Sequence, residues 1–285
     1  MATASGSSGT DELAAAWLAH RRVFRELHAA GCFLIPNPWD VGSARLLARL
    51  GFRALATTSS GFAWSLGRPD NHVSLEEALA HMRAVARAVD LPVSADFEGG
   101  FAVEPAGVAE NVRAATGTGI AGISVEDSSG DDAHPLFDFT LAVERVQAAR
   151  RAIEESGSDV LLTARSEGFI VGRPDLRETT RRLAAFAEAG ADCLYAPGIR
   201  TKDEIAAVVG AVAPKPVNVL AGSNFTTVAE LAQLGVRRIS VGSALARAAW
   251  AGFLEAAREI ADRGTFAGLG RAASFSEIDG YFRQE

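Results

Sequence analysis

The chain has 285 residues, 48% of them apolar, which is enough to fill a sizeable core and too apolar for a disordered segment. Its net charge is −7, and all of its basic residues except Lys202 and Lys215 are arginines, scattered without a basic run, which argues against a nucleic-acid partner. Two distant cysteines, Cys32 and Cys193, show no CxxC or Cys/His spacing, so neither a disulfide framework nor a structural zinc site is expected.

Residues 1–10 are small, polar and rich in Gly and Ser, and read as a flexible tail with no secretion signal. No apolar run approaches the roughly 20 residues needed to span a bilayer, so a soluble, cytoplasmic protein without a membrane partner is expected. A helix over 11–30 follows. Short apolar, often β-branched segments then recur at 33–36, 53–57, 92–96, 120–125, 160–164, 192–196, 216–220 and 237–241, as eight candidate strands. Ala-rich stretches with helical spacing lie between them, at 42–50, 74–89, 105–116, 141–155, 175–189, 202–212 and 227–234. Residues 244–263 read as the eighth helix and 274–282 as a short amphipathic extension. Gly51, Gly119, Gly190 and Gly235 each end a helix just before the next strand. Regular alternation implies parallel pairing, and eight units in about 250 residues are what a (β/α)8 TIM barrel needs. A single barrel domain over 11–285 is expected, with the leading helix capping its bottom or packing on a neighbouring subunit. The turn after the first strand, Asn37-Pro38-Trp39-Asp40, lacks the GxGxxG pattern, so a dinucleotide site is unsupported.

In such a barrel the strand C-termini converge on the active site. Those ends carry Thr57 to Gly61, Asp96-Phe97-Glu98-Gly99-Gly100, Glu126-Asp127, Arg165-Ser166, Tyr195, Asn218 and Gly242-Ser243. Asp96 and Glu98 can reach one point, and Glu126 approaches from the neighbouring strand roughly 5 Å away. Three carboxylates crowded there repel one another unless a cation neutralises them, and an all-oxygen donor set favours Mg²⁺, or Mn²⁺ in its place. The alternative is that each acid caps a helix or pairs with an arginine. Glycines 99 and 100 would let backbone approach the ligand. Arg165 can grip a substrate carboxylate bidentately or merely balance Glu126 or Asp127. Thr58, Ser59, Ser60 and Gly61 offer hydroxyls and N–H groups to an anion, and Gly242-Ser243 could bind phosphate. Neither lysine ends a strand, which makes an imine mechanism improbable. His134, in a loop, is the one group there able to shuttle protons near pH 7.

These motifs resemble the isocitrate lyase/phosphoenolpyruvate mutase superfamily: Asn37-Pro38-Trp39-Asp40 with Ser43-Ala44-Arg45, Thr58-Ser59-Ser60-Gly61 running to Asp70, Asp96-x-Glu98-x-Gly100, Val125-Glu126-Asp127 and Ala164-Arg165. The likeness runs in the family's order from about Phe33 to Phe253. It implies a Mg²⁺-dependent barrel that stabilises an enolate of a pyruvate-like fragment. By resemblance Asp96 is the direct metal ligand, Asp70, Glu98 and Glu126 hold metal-bound waters, and the Ser59 to Gly61 turn with Arg165 binds carboxylate. It also implies a last barrel helix swapped between subunits and a homo-oligomer built as a dimer of dimers. Two departures stand out. The second acid is Glu98 where the family usually has Asp, with Phe101 for Tyr, and the loop 128–135 lacks the Lys-Lys-Cys-Gly-His run whose cysteine serves the lyases as general acid. The lysine and asparagine or threonine of the mutase and phosphonopyruvate hydrolase branch are missing as well. The expected activity is therefore C–C cleavage of a small 2-oxo or 2-hydroxy carboxylate, with decarboxylation of an oxaloacetate-like acid favoured because it needs no acid on the leaving group. The alternatives are a P–C bond enzyme and a non-catalytic 2-oxo acid binding protein. On this reading Arg165, Glu126 and His134 carry the chemistry, and Asn218 joins the substrate contacts.

Overall fold

The computed structural model describes residues 7–283, and the elements follow in this order: α1 (Ser7–Ala29), β1 (Phe33–Ile35), α2 (Val41–Arg49), β2 (Leu55–Ala56), α3 (Ser59–Ser65), α4 (Leu75–Ala88), β3 (Val93–Asp96), α5 (Pro105–Thr116), β4 (Gly122–Glu126), α6 (Phe139–Glu155), β5 (Leu161–Arg165), α7 (Leu176–Glu188), β6 (Cys193–Tyr195), α8 (Lys202–Val212), β7 (Val217–Leu220), α9 (Val228–Gln233), β8 (Arg238–Ser240), α10 (Ala244–Arg263), a 3₁₀ turn (Ala267–Arg271) and α11 (Phe275–Phe282). Residues 1–6 of the expected tail lie outside the described residues, and α1 already begins at Ser7, four residues earlier than expected.

All strand pairs are parallel, in the order β1-β8-β7-β6-β5-β4-β3-β2. The ring closes where the Ala56 N–H donates to Pro36 O at 3.1 Å, making the expected (β/α)8 barrel. Alternation along each strand sorts the side chains. Ile123, Val125, Leu162, Val219 and Ile239 are buried in one core with Val108, Val112, Val146, Leu183 and Val208 of the helices. The opposite set is small and polar: Ser94, Ser124, Asn218 and Ser240 line an internal cavity. Barrels of this kind are usually filled by bulky branched residues. Here short side chains leave the upper interior open.

The lower end is sealed by α1. Phe24 and His28 stack edge-on against one another and against Phe33, with ring centroids 4.6 and 5.0 Å apart, and Leu27, Ala121, Leu161 and Cys193 complete the plug. A Cβ on Gly122 would stand 2.5 Å from the Phe24 ring, and one on Gly119 2.5 Å from Trp17, so the ring of strands admits the helix only through these two glycines.

Two elements differ from expectation. The run after β2 is no simple polar turn: Thr58 caps α3, its Oγ1 accepting the Gly61 N–H at 3.4 Å, and Phe62, Ala63 and Trp64 carry the helix on. α10 spans 244–263 as the eighth helix is expected to, but most of it stands off the barrel wall. It packs on the 3₁₀ turn behind it, where Glu259 accepts from Thr265, Ala267 and Gly268, and it leaves Phe253 61% exposed beside Trp250, Leu254 and Ile260. Among the described residues no helix is long and apolar enough to cross a membrane.

Candidate active site

The cavity at the C-terminal mouth measures about 310 Å³. Asp96, Glu126, Arg165, Thr58, Ser59, Ser60 and Asn218, from the strand ends, line it together with Asp70 from the loop after α3. Asp96 closes β3, whose register puts it opposite Ser124, so Glu126 stands one pleat further along on the same side. In the next pair Glu126 faces Arg165 directly.

Arg165 is the hub. Nη1 meets Asp96 Oδ1 at 2.5 Å, Nη2 meets Glu126 Oε2 at 3.1 Å, and Nε and Nη2 both reach Glu167 Oε1 at 3.0 Å. Its guanidinium carbon also lies 5.2 Å from the Tyr195 ring centroid. The second oxygen of Asp96, Oδ2, accepts from the Ser59 N–H and hydroxyl, each at 3.0 Å, and the Asp96 N–H donates to Thr57 Oγ1 at 2.9 Å. Glu167, 3% exposed, has its own backbone fixed from behind: its N–H donates to Asp127 Oδ1 at 2.8 Å, and Asp127 Oδ2 pairs with Arg182 at 3.2 Å. Asp127 is thus a structural acid that points away from the cavity.

One guanidinium does not neutralise so many carboxylates. Burial pushes Glu126 far above the ordinary carboxylate range, Arg165 opposing and Glu167, Asp96 and Glu98 adding to the rise. Glu98 is pushed up to about 7, first by burial and then by Asp96 and Asp70. Asp70, on the rim, is raised by lost solvation and by Asp96. Both effects disfavour the charged form, so protons or a cation must fill the deficit.

Several expected residues are placed elsewhere. Glu98, at a left-handed φ of 48°, turns behind Asp96 into a separate narrow gap beside His81, Phe62 and Phe101. Among the described residues no three of the His, Cys, Asp and Glu side chains stand close enough to hold a metal ion as they are, because Glu98 points away and Arg165 occupies Asp96. Gly61 does not line the cavity. A Cβ there would stand 2.9 Å from Trp39 Cβ, so it serves helix packing. Gly99 and Gly100 do not approach the cavity either; their loop is gripped by Arg145, whose guanidinium donates to the carbonyls of Gly99, Ala102 and Val103. The Gly242 N–H, a candidate phosphate donor, is spent on Asn37 Oδ1 at 2.9 Å. His134 is 86% exposed at its side chain, pairs with Asp131 at 3.3 Å and lines a separate surface hollow. A proton-transfer role for it in the cavity has no geometric support. The loop that carries it folds on itself through Ser129 and the Ser128–Leu136 bridge, and only Ser128 touches the cavity.

Two lining residues escape motif reading. Glu167 repeats, as Arg165-x-Glu167, the spacing of Asp96-x-Glu98, and that two-residue offset was its signal. Arg238 opens the three-residue strand β8, in phase with Ser240, and both line the cavity.

The family profile described as phosphoenolpyruvate phosphomutase matches residues 24–261. The chain therefore belongs to the isocitrate lyase/phosphoenolpyruvate mutase superfamily, whose members are carbon–carbon lyases and mutases. A solved structure from Burkholderia cenocepacia, provisionally described as a lyase or mutase, is 47% identical and superposes with a TM-score of 0.91 over 95% of this chain and 98% of that one. An uncharacterised protein of Mycobacterium tuberculosis is 34% identical over 84% of this chain and 89% of its own length. The oxaloacetate decarboxylase of Paraburkholderia xenovorans is 30% identical, covering 79% of this chain and 75% of that protein.

Proposed function

We propose that this chain cleaves a C–C bond in a small 2-oxo dicarboxylate, with decarboxylation of oxaloacetate the leading form. The observation that carries the reading is Arg165, a buried guanidinium at a polar mouth, ringed by Asp96, Glu126 and Glu167, of which burial raises the two glutamates above the ordinary carboxylate range. Similarity to the oxaloacetate decarboxylase supports the substrate class.

The donor chemistry fits a hard divalent ion: Asp96, Glu98, Glu126 and Asp70 offer only oxygens, and their mutual repulsion leaves a net negative charge for Mg²⁺ to remove. Asp96 would hold it, with Glu126 and Asp70 beside it in the cavity and Glu98 behind Asp96 able to join only by turning out of its present gap, and when bound it would supply positive charge to the negative charge growing on the 2-oxo oxygen. The chain's own groups do the rest. Arg165 exchanges its carboxylate partners for that of the substrate, and Ser59 orients Asp96 through two hydrogen bonds. As the C–C bond breaks, its electron pair passes toward the 2-oxo carbonyl and carbon dioxide leaves. Glu126, which faces Arg165 across the strand pair and whose affinity for a proton is raised by burial, is the carboxyl placed to return a proton to the carbon left behind. A phosphonate would call for several cations at one end, but at the mouth Arg165 is already shared three ways, and the cavity's other arginine, Arg238, stands three strands away.

The deciding assay follows pyruvate and carbon dioxide from oxaloacetate, with Mg²⁺ and with EDTA. Turnover that EDTA abolishes and Mg²⁺ restores is expected. Metal-independent turnover, or consumption of phosphonopyruvate in its place, would reject the reading. We also propose that the exposed apolar face of α10 packs on a second copy of the chain. Light scattering should then report an oligomer, and a monomer mass at micromolar concentration would remove the proposal.

A further inference from the structure

The two arginines that line the cavity are electrostatically unlike. Arg165 shares three carboxylates, whereas Arg238, only 5% exposed, makes no ion pair among the described residues. Its Nε donates to Asn218 Oδ1 at 2.9 Å, and Nη1 lies 3.4 Å from His28 Nε2. Nη2 has no protein partner among the described residues. Burial and the nearby arginines depress His28 to about 3, so it stays neutral and cannot share the charge, while its Nδ1 is bound to Phe24 O at 2.8 Å. Asn218 is committed on both sides, its Nδ2 donating to Ser240 Oγ at 2.9 Å. A buried, unpaired guanidinium is costly unless an anion meets it.

Register fixes where it stands. Arg165 is level with Tyr195, Tyr195 with Asn218, and Asn218 with Arg238. Three inter-strand steps, about 14 Å at Cα, separate the two arginines along that row. Because barrel strands tilt, the row descends as it runs round, so Arg165 reaches in from the mouth and Arg238 from the floor. One polar cavity joins them, walled by Ser94, Ser124 and Ser240.

We propose that Arg238, seated by Asn218 and Ser240, forms a carboxylate subsite on the barrel floor, so that the cavity takes a molecule anionic at both ends. The inference deepens the 2-oxo dicarboxylate reading and rests on it for the group held at Arg165. It makes Arg238 the residue that distinguishes a dicarboxylate from a monocarboxylate of the same length. The cavity's buried acids, Asp96, Glu126 and Glu167, are gathered on Arg165, whereas Ser94, Ser124 and Ser240 line the wall, so among the described residues Arg238 is left as the cavity's unopposed cation.

The test uses the full chain and two inert four-carbon probes, succinate and butyrate, which differ only in the second carboxylate. Calorimetry on the native protein should find succinate binding at least about tenfold tighter, the scale of one charge-assisted hydrogen bond. In Arg238→Gln the ratio should fall below about threefold with butyrate affinity held within a factor of about three. Asn218→Asp keeps the shape but supplies an internal counter-charge, and it should erase the preference in the same way even if the glutamine variant folds poorly. Chloride competing with succinate and not with butyrate would support the same subsite, occupied by a mobile anion at rest. A preference unchanged in both variants, or equal weakening of both probes, would overturn the proposal. Neither probe is turned over, so this outcome is independent of the oxaloacetate assay.

Discussion

Replacing Arg165 with methionine is expected to lower kcat/KM for the substrate by about a thousandfold or more, some 4 kcal/mol of transition-state stabilisation. The side chain is the cation at the mouth, and methionine fills its volume without its fork. The same change strips Asp96, Glu126 and Glu167 of their shared partner. Removing one member of a buried charge cluster costs about 3–5 kcal/mol, which in a chain of this size lowers Tm by roughly 6–15 °C. Arg165→Lys should recover part of the stability, since it keeps the charge, and little of the activity, since an ammonium cannot hold three carboxylates and a substrate in one plane. The stability loss should shrink in acid, where the orphaned carboxylates take up protons. A methionine variant with native Tm would mean that the guanidinium does not neutralise the cluster.

The second large effect is a fall in stability of the metal-free protein as pH rises above about 6.5, reversed by Mg²⁺. Glu98 goes from an ordinary 4.5 to about 7 on folding, so between those values the native state holds more protons than the unfolded chain. Stability then declines with rising pH, by on the order of 2 kcal/mol for this group after allowance for its partial exposure. Glu126 and Asp70 are displaced in the same direction. Surface acids displaced downwards, such as Glu77 at about 2, act only below 4.5 and leave this window alone. His28 and His81, held neutral by burial at about 3 and about 4, pull stability the other way up to about pH 6.5. Thermal melts should therefore slope downward from there to about pH 8, and Glu98→Gln should lessen that fall and steepen the rise below it. Mg²⁺ should raise Tm most at the alkaline end and hardly at all near pH 4.5. A flat profile indifferent to Mg²⁺ would withdraw the ion from these acids.

Much of this architecture is legible in sequence because β/α alternation writes its own punctuation. Eight apolar segments alternating with Ala-rich stretches, four of which stop at a glycine just before the next strand, leave little room for another fold. Position along a strand then gives polarity of placement, and that alone gathers Asp96, Glu126 and Arg165. What sequence does not carry is direction beyond the strand end. Glu98 sits two residues past Asp96, yet a left-handed backbone turns it behind its neighbour. His134 has suitable chemistry but a loop that ties itself off short of the cavity. Gly61 looks like an anion-binding glycine and proves to be a contact with Trp39. Helix α3 is hidden because its first turn, Ser59-Ser60-Gly61, has the composition of a loop and is made helical by one threonine cap.

The plug that α1 forms under the barrel governs traffic as well as stability. With Phe24, Leu27 and Phe33 closing the lower end, the cavity is a blind well with a single opening. Whatever enters past Ser59 and Ser128 must leave past them, and nothing can follow it in until it has gone. Under the cleavage proposed above, a fragment held at the deep end would queue behind one at the rim, so departure would be ordered by depth and the last fragment out would compete with the next molecule in.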